Sequence, residues 1–162
     1  MEAVLKRVYE SRPISMSLKI ISHASALICA TSYVATLFYF CFYIKEPMVA
    51  LKLLLSAMIP YIIVTVMRRL IKAPRPYELY GFYSVFPKNK RGQSFPSRHV
   101  FSAFVIATLC WIVSPWLSVA LFALGVYLAV SRVLLGIHFI RDVVAGAFIG
   151  IISGILGIII IL

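Results

Sequence analysis

The sequence predicts an all-α fold: a polytopic membrane helix bundle with about five transmembrane helices plus an N-terminal interfacial amphipathic helix. Two observations carry this expectation. Apolar residues make up 62% of the chain and the mean hydropathy is +1.00, which leaves too few polar residues to coat a soluble core. The apolar residues also fall in long runs, and a run of about 20 crosses the hydrocarbon core of a bilayer. The whole chain, 1–162, reads as one membrane-embedded domain.

The elements follow in order. In residues 2–12, Val4, Leu5, Val8 and Tyr9 share one helical face, with Lys6, Arg7 and Glu10 elsewhere. Pro13 disfavours helix at Arg12, so the amphipathic helix over 2–12 is expected to stop there, within an interfacial segment of 1–16. These first residues lack an uncharged apolar stretch and do not read as a cleaved signal peptide. The first span is expected over 20–44, ending at Lys45-Glu46-Pro47, and the second over 48–67, ending at Arg68-Arg69. A polar and aromatic stretch, 68–96, forms the one long loop. The third span covers 97–114 and turns at Ser114-Pro115-Trp116. At 1.5 Å per residue it reaches only about 27 Å. The fourth covers 117–135 and the fifth 138–162. Gly146, Gly150 and Gly154 in the fifth have the small-xxx-small spacing that lets helices approach closely, and Gly157 extends the cluster.

The formal net charge is +11, from 16 Lys and Arg against 5 carboxylates. In a soluble chain this excess would point to nucleic acid. Here the charges sit between apolar spans, so the bilayer, anionic headgroups and phosphate are the expected partners, and nucleic acid is not. Cys29, Cys41 and Cys110 each lie inside an apolar stretch without metal-ligand spacing and read as lipid- or core-facing thiols.

Counting spans brings the polar residues together. The long loop, the start of the third span, the end of the fourth and the start of the fifth must all lie at one membrane face. Arg68–Arg75, Pro96–His99, Ser131-Arg132 and His138–Asp142 therefore meet at one depth. Snorkelling accounts for an isolated Arg69 or Arg141, and His23 in the first span reads as a packed or interfacial histidine. Two histidines, a carboxylate, a serine and several arginines at one level are expensive near a membrane and point to function.

His138 and Asp142 are spaced i, i+4 and would share a face on a helix. A carboxylate beside an imidazole fixes its tautomer and leaves the other ring nitrogen free to attack. His99, on another span, is suited to protonate a leaving oxygen. Arg75 and Arg132 offer planar forks of donors to phosphoryl oxygens. Ser97 and the backbone amides at the start of the third span add donors where a helix N-terminus favours anions. A rival use of His99, His138 and Asp142 is a two-histidine, one-carboxylate metal site. The surrounding arginines argue against it, and neither metal nor cofactor is expected.

The segments 68–142 resemble the type 2 phosphatidic acid phosphatase (PAP2) superfamily of membrane lipid phosphatases. Its three-part signature is matched by Arg68-RLIKAP-Arg75-Pro76, Pro96-Ser97-Arg98-His99 and Ser131-Arg132-VLLGI-His138-FIR-Asp142. The resemblance implies that His138 forms a phosphohistidine, Asp142 orients it and His99 protonates the leaving group. It implies further that Arg68, Arg75, Ser97 and Arg132 hold the phosphate. Arg68 stands where the family has lysine, and Lys72, one turn away, is a second candidate for that charge. Arg98 stands where glycine is usual, so its amide can still bind phosphate while its side chain points out of the pocket or grips the headgroup. The family commonly has six spans against the five expected here.

Only Lys45 and Lys52 of the 16 basic residues fall on the face away from the site, and the excess survives when Arg68, Arg75, Arg98 and Arg132 are set aside. The positive-inside rule then puts the site in the cytoplasm, in a prokaryotic plasma membrane, although many relatives work on the outer leaflet. Tyr77, Tyr80, Phe82, Tyr83, Phe86 and Phe95 read first as an aromatic interface belt. The expected substrate is a lipid bearing a terminal phosphate: phosphatidic acid, phosphatidylglycerophosphate, a polyprenyl phosphosugar or polyprenyl diphosphate. The rival of another class is a non-enzymatic anion transporter or scaffold, which would tolerate loss of His138.

Overall fold

In the computed structural model, residues 11–80 and 92–162 are described, and among them the chain is helical with no strand. Helix α1 spans Arg12–Phe38 and runs on through a π-helical turn, Tyr39–Tyr43. Next come α2 (Pro47–Ile71), a short α3 (Pro76–Tyr80) and α4 (Arg98–Leu109), which tightens into a 3₁₀ turn at Cys110–Ile112. Helices α5 (Pro115–Leu134) and α6 (Ile140–Ile161) complete the bundle. Proline opens α1, α2 and α5, where its missing N–H would have had no helical acceptor anyway.

Four of these helical segments are long and apolar enough to cross a membrane: Pro13–Tyr43, Pro47–Tyr80, Pro115–Leu134 and Ile140–Ile161. Their outer faces expose Leu27, Phe38, Ile63, Val126 and Phe148, as lipid contact requires. The first span begins earlier than expected, so residues 12–16 are its opening turn, and the rest of the anticipated interfacial segment lies outside the described residues. Helix α2 also runs further, to Ile71, so Arg68 and Arg69 belong to its last turn and not to a loop.

The fifth apolar helix, Arg98–Ile112, is shorter and lies at the centre of the bundle. Every residue from Val100 to Cys110 except Ser102 is buried. It packs most extensively on α6 and next on α5. The glycine spacing explains the first contact. A methyl group at Gly146 would lie 2.6 Å from the Ser97 carbonyl oxygen, and one at Gly150 would lie 2.7 Å from that of Phe101. Gly154 meets Thr108 in the same row, and Gly157 turns to Ser56 of α2. Backbone-to-backbone approach of this kind is what small residues permit in a membrane. Buried polar tethers add direction: Ser118 donates to Ala107 O at 2.7 Å, joining α5 to α4, and Tyr33 to Leu53 O at 2.6 Å, joining α1 to α2. At the end of the bundle remote from Arg98, Trp111 and Trp116 are exposed around the α4–α5 turn, where amphipathic rings favour the membrane interface.

Gly150→Ala should lower the melting temperature in detergent, since overpacking costs about 1–3 kcal/mol. Ile152→Ala, on the exposed face, should change it little, and helical circular dichroism followed with temperature compares the two.

Candidate active site

The turn between α5 and α6 builds the centre of the site. Helix α5 ends at Leu134, and Gly136 takes a left-handed conformation (φ 58°) that a side chain would strain. The amides of Ile137 and His138 then both donate back to Arg132 O, at 3.1 and 3.3 Å. This hook brings His138 (3% exposed) beside the end of α5 that carries Arg132 (2% exposed).

Helix α6 begins only at Ile140, so His138 precedes it, and the expected sharing of one helical face does not occur. Asp142, in the first turn of α6, reaches back instead. Its Oδ2 accepts the Phe139 amide at 3.0 Å, a favourable place for negative charge at a helix N-terminus. The same oxygen lies 3.7 Å from His138 Nδ1.

Ser94 fills that interval. Its hydroxyl donates to Asp142 Oδ2 at 2.5 Å and lies 3.4 Å from His138 Nδ1, with all three residues buried. An Nδ1–H directed at the Ser94 oxygen leaves the lone pair on Nε2. Ser94 was not among the residues singled out from the sequence. Its signal was weak: a serine two residues before Pro96-Ser97 in a loop.

Arg68, Arg75 and Arg132 are all buried, and Arg75 is within electrostatic reach of the other two and of His138. Arg68 differs from expectation in what it holds. Its terminal nitrogens donate to the carbonyl oxygens of Gln93 and Pro96, with a longer bond to Ser94 O at 3.4 Å. It therefore pins the 93–96 segment, and gripping phosphate is not its visible work. Lys72, the alternative for this charge, is exposed at the left-handed C-cap of α2 (φ 49°), because the helix ends before the turn that would have brought it inward. Arg75 donates to Gln93 O at 3.4 Å, while its Nε is buried without a hydrogen-bond partner among the described residues.

Ser97 is the N-cap of α4, fully buried, and its hydroxyl makes no capping bond or any other hydrogen bond among the described residues. Its amide donates to Asp142 O at 2.9 Å, which fixes the start of α4 against α6. The amides in the first turn of α4 have no intrahelical acceptor. Ser131 donates within its own helix, to Leu128 O at 2.8 Å. His99 follows on α4, half-buried, and the Arg98 guanidinium stacks 5.3 Å from the centre of the Tyr61 ring. Glu78, also unremarked in the sequence, accepts the amides of Arg75 and Gly92, both at 3.2 Å, and so ties the two ends of the 75–92 excursion. His23 is exposed on α1 and apart from this group, with Lys19 O 2.9 Å from its Nδ1. Phe82, Tyr83 and Phe86 lie outside the described residues.

Burial pushes the His138 imidazole down from its ordinary 6.5 to about 4, and the charges of Arg75 and Arg68 add to this against the opposing pull of Asp142. His138 is thus a neutral imidazole at physiological pH, with a lone pair beside buried cationic and hydroxyl donors. Such a set matches an anion whose charge sits on several oxygens. His99, His138 and Asp142 do not form a metal-ligand cluster among the described residues.

Comparison with known proteins agrees with this chemistry. The PAP2 superfamily model matches residues 49–161. The chain is 37% identical over 82 residues to the lipid A 1-phosphatase of Porphyromonas gingivalis, a stretch that covers 48% of this chain and 18% of that protein. The crystal structure of Aquifex aeolicus LpxE is similar in fold, with a TM-score of 0.70 and 24% identity over 96% of this chain and 93% of that one. The first transmembrane PAP2 type phosphatidylglycerolphosphate phosphatase from Bacillus subtilis gives a TM-score of 0.72 at 22% identity, over 98% and 83% respectively. The family match runs through every segment that builds the site, and the protein belongs to the PAP2 superfamily.

Proposed function

We propose that the protein is a metal-independent lipid phosphate phosphatase acting through a phosphohistidine. The observation that carries this reading is the neutral, buried His138, backed by Ser94 and Asp142 and within electrostatic reach of the buried Arg75 and Arg68. Arg75, Arg132, Ser97 and the first-turn amides of α4 bind the terminal phosphoryl group. Arg68 is a positioning residue that holds the 93–96 segment. His138 Nε2 attacks phosphorus as the bond to the leaving oxygen breaks, and His99 gives that oxygen its proton. The Nδ1–H of His138 stays directed at Ser94 and Asp142, which stabilises the positive charge that develops on the ring. Water then attacks the phosphohistidine, giving a proton to His99, and the N–P bond breaks to release phosphate.

The substrate is a membrane lipid with a terminal phosphate. Phosphatidylglycerophosphate, phosphatidic acid, a polyprenyl phosphosugar and polyprenyl diphosphate all carry the group this site suits. Names of two relatives, a lipid A 1-phosphatase and a phosphatidylglycerolphosphate phosphatase, support a phosphorylated lipid. The distribution of lysine and arginine supports a cytoplasmic site.

Phosphate release from these lipids in detergent, with EDTA present, should be measurable for the wild type and absent for His138→Ala. Binding of phosphate with no release from any of them would favour transport or scaffolding. Ser94→Ala should lower kcat by about tenfold or more, the worth of a hydrogen bond to a charged group, with a smaller change in KM. An unchanged kcat would remove Ser94 from the mechanism. For the membrane face, α6 runs away from the site, so alkaline phosphatase fused after Leu162 should be active outside the cytoplasm. An inactive fusion alongside an active cytoplasmic reporter would reverse the orientation.

A further inference from the structure

Resting on that reading, we propose that Arg98 and Tyr61 form a second anion site for the leaving portion of the substrate. The enzyme would then select lipids whose leaving portion carries its own phosphate. The observation is a cavity of about 190 Å³ between α1, α2 and α4, distinct from the arginine cluster around His138. Ala26, Ala30 and Ile106 line its apolar part, and Tyr61, Arg98 and His99 its polar end. His99, two residues after Ser97 on α4, borders this cavity. It is the group assigned to protonate the leaving oxygen, so the cavity it borders is where the rest of the lipid lies.

The cavity has the shape such a lipid needs. Ile106 is eight residues along α4 from Arg98, about 12 Å deeper at 1.5 Å per residue. A second cavity of about 190 Å³ shares Tyr61, Ser102 and Ile106 with it and continues between α1, α2 and α4. Hydrocarbon can thus follow α4 while the polar part stays at Arg98. The guanidinium is half-buried and 5.3 Å from the centre of the Tyr61 ring, which orients it without neutralising it. Among the described residues Arg98 makes no ion pair, and the nearby charge of Arg68 has the same sign. A cation held in this way on the leaving-group side of His99 recognises a second phosphate. It offers nothing comparable to a leaving portion that is a neutral alcohol.

The test is kcat/KM for two matched pairs of lipids with the full-length protein in detergent. Phosphatidylglycerophosphate and phosphatidic acid share a diacylglycerol body, and polyprenyl diphosphate and polyprenyl monophosphate share a prenyl chain. In each pair only the first releases a leaving portion that bears a phosphate. Arg98→Ala should lower the ratio of first to second by about tenfold or more, as loss of a charge-assisted hydrogen bond does. Arg98→Lys should keep most of the ratio, and Tyr61→Leu should lower it in the same direction. A fall in one pair alone supports the site and identifies whether it reads a phosphodiester or a phosphomonoester. Ratios unchanged in both pairs, in variants whose melting temperatures match the wild type, would overturn the proposal. Failure of the underlying reading looks different: no lipid is hydrolysed by the wild type, or His138→Ala still turns over.

Discussion

The Arg68 guanidinium, in the last turn of α2, donates to the carbonyl oxygens of Gln93, Ser94 and Pro96, and these bonds set the course of the segment that leads into α4. Burying a guanidinium costs several kcal/mol unless its donors are met, and three carbonyl dipoles meet them here. The segment carries Ser94, whose hydroxyl lies between His138 and Asp142, and Ser97, which opens α4. One positive charge at the end of α2 thus governs the position of two hydroxyls ahead of α4. Glu78 reinforces it by holding the Arg75 and Gly92 amides together.

Packing and chemistry share residues in this bundle. Gly146 lies against the Ser97 carbonyl, and the Ser97 amide is bonded to Asp142 O, so one of the close approaches of α4 to α6 falls at the site. The glycine row that brings the two helices into contact thus also holds Ser97 against the first turn of α6. The charge balance follows the same logic. Three buried arginines face a single buried aspartate, an arrangement that like-charge repulsion opposes and an oxyanion relieves.

Much of this was legible in the sequence because a membrane simplifies the problem. Apolar runs gave the spans, and counting them put Arg75, Ser97, Arg132, His138 and Asp142 at one face. The glycine spacing of α6 signalled a close helix contact, and the structure identifies α4 as the partner. Local backbone was harder to read. The i, i+4 spacing of His138 and Asp142 suggested a helix, but Gly136 and the two hydrogen bonds from the Ile137 and His138 amides to Arg132 O place His138 in a turn before it. Periodicity also could not tell that α2 ends at Ile71 and turns Lys72 outward. Ser94 and Glu78 escaped notice because their work depends on tertiary contacts across 44 to 48 and 14 residues respectively, which no local pattern records.

The shortness of α4 has a consequence for depth. From Arg98 to Ile112 it rises about 22 Å, against a hydrocarbon core of about 30 Å. Its far end is marked by Trp111 and Trp116, side chains that settle at the bilayer surface. Measured from that surface, the first turn of α4 stops several ångströms below the opposite headgroup layer. On the proposed reading, a lipid phosphate bound at Ser97 would descend beneath its neighbours and shed part of its water as it does so. Buried guanidinium groups would replace that hydration, and entry into such a recess would then favour lipids whose polar end carries enough negative charge to offset the descent.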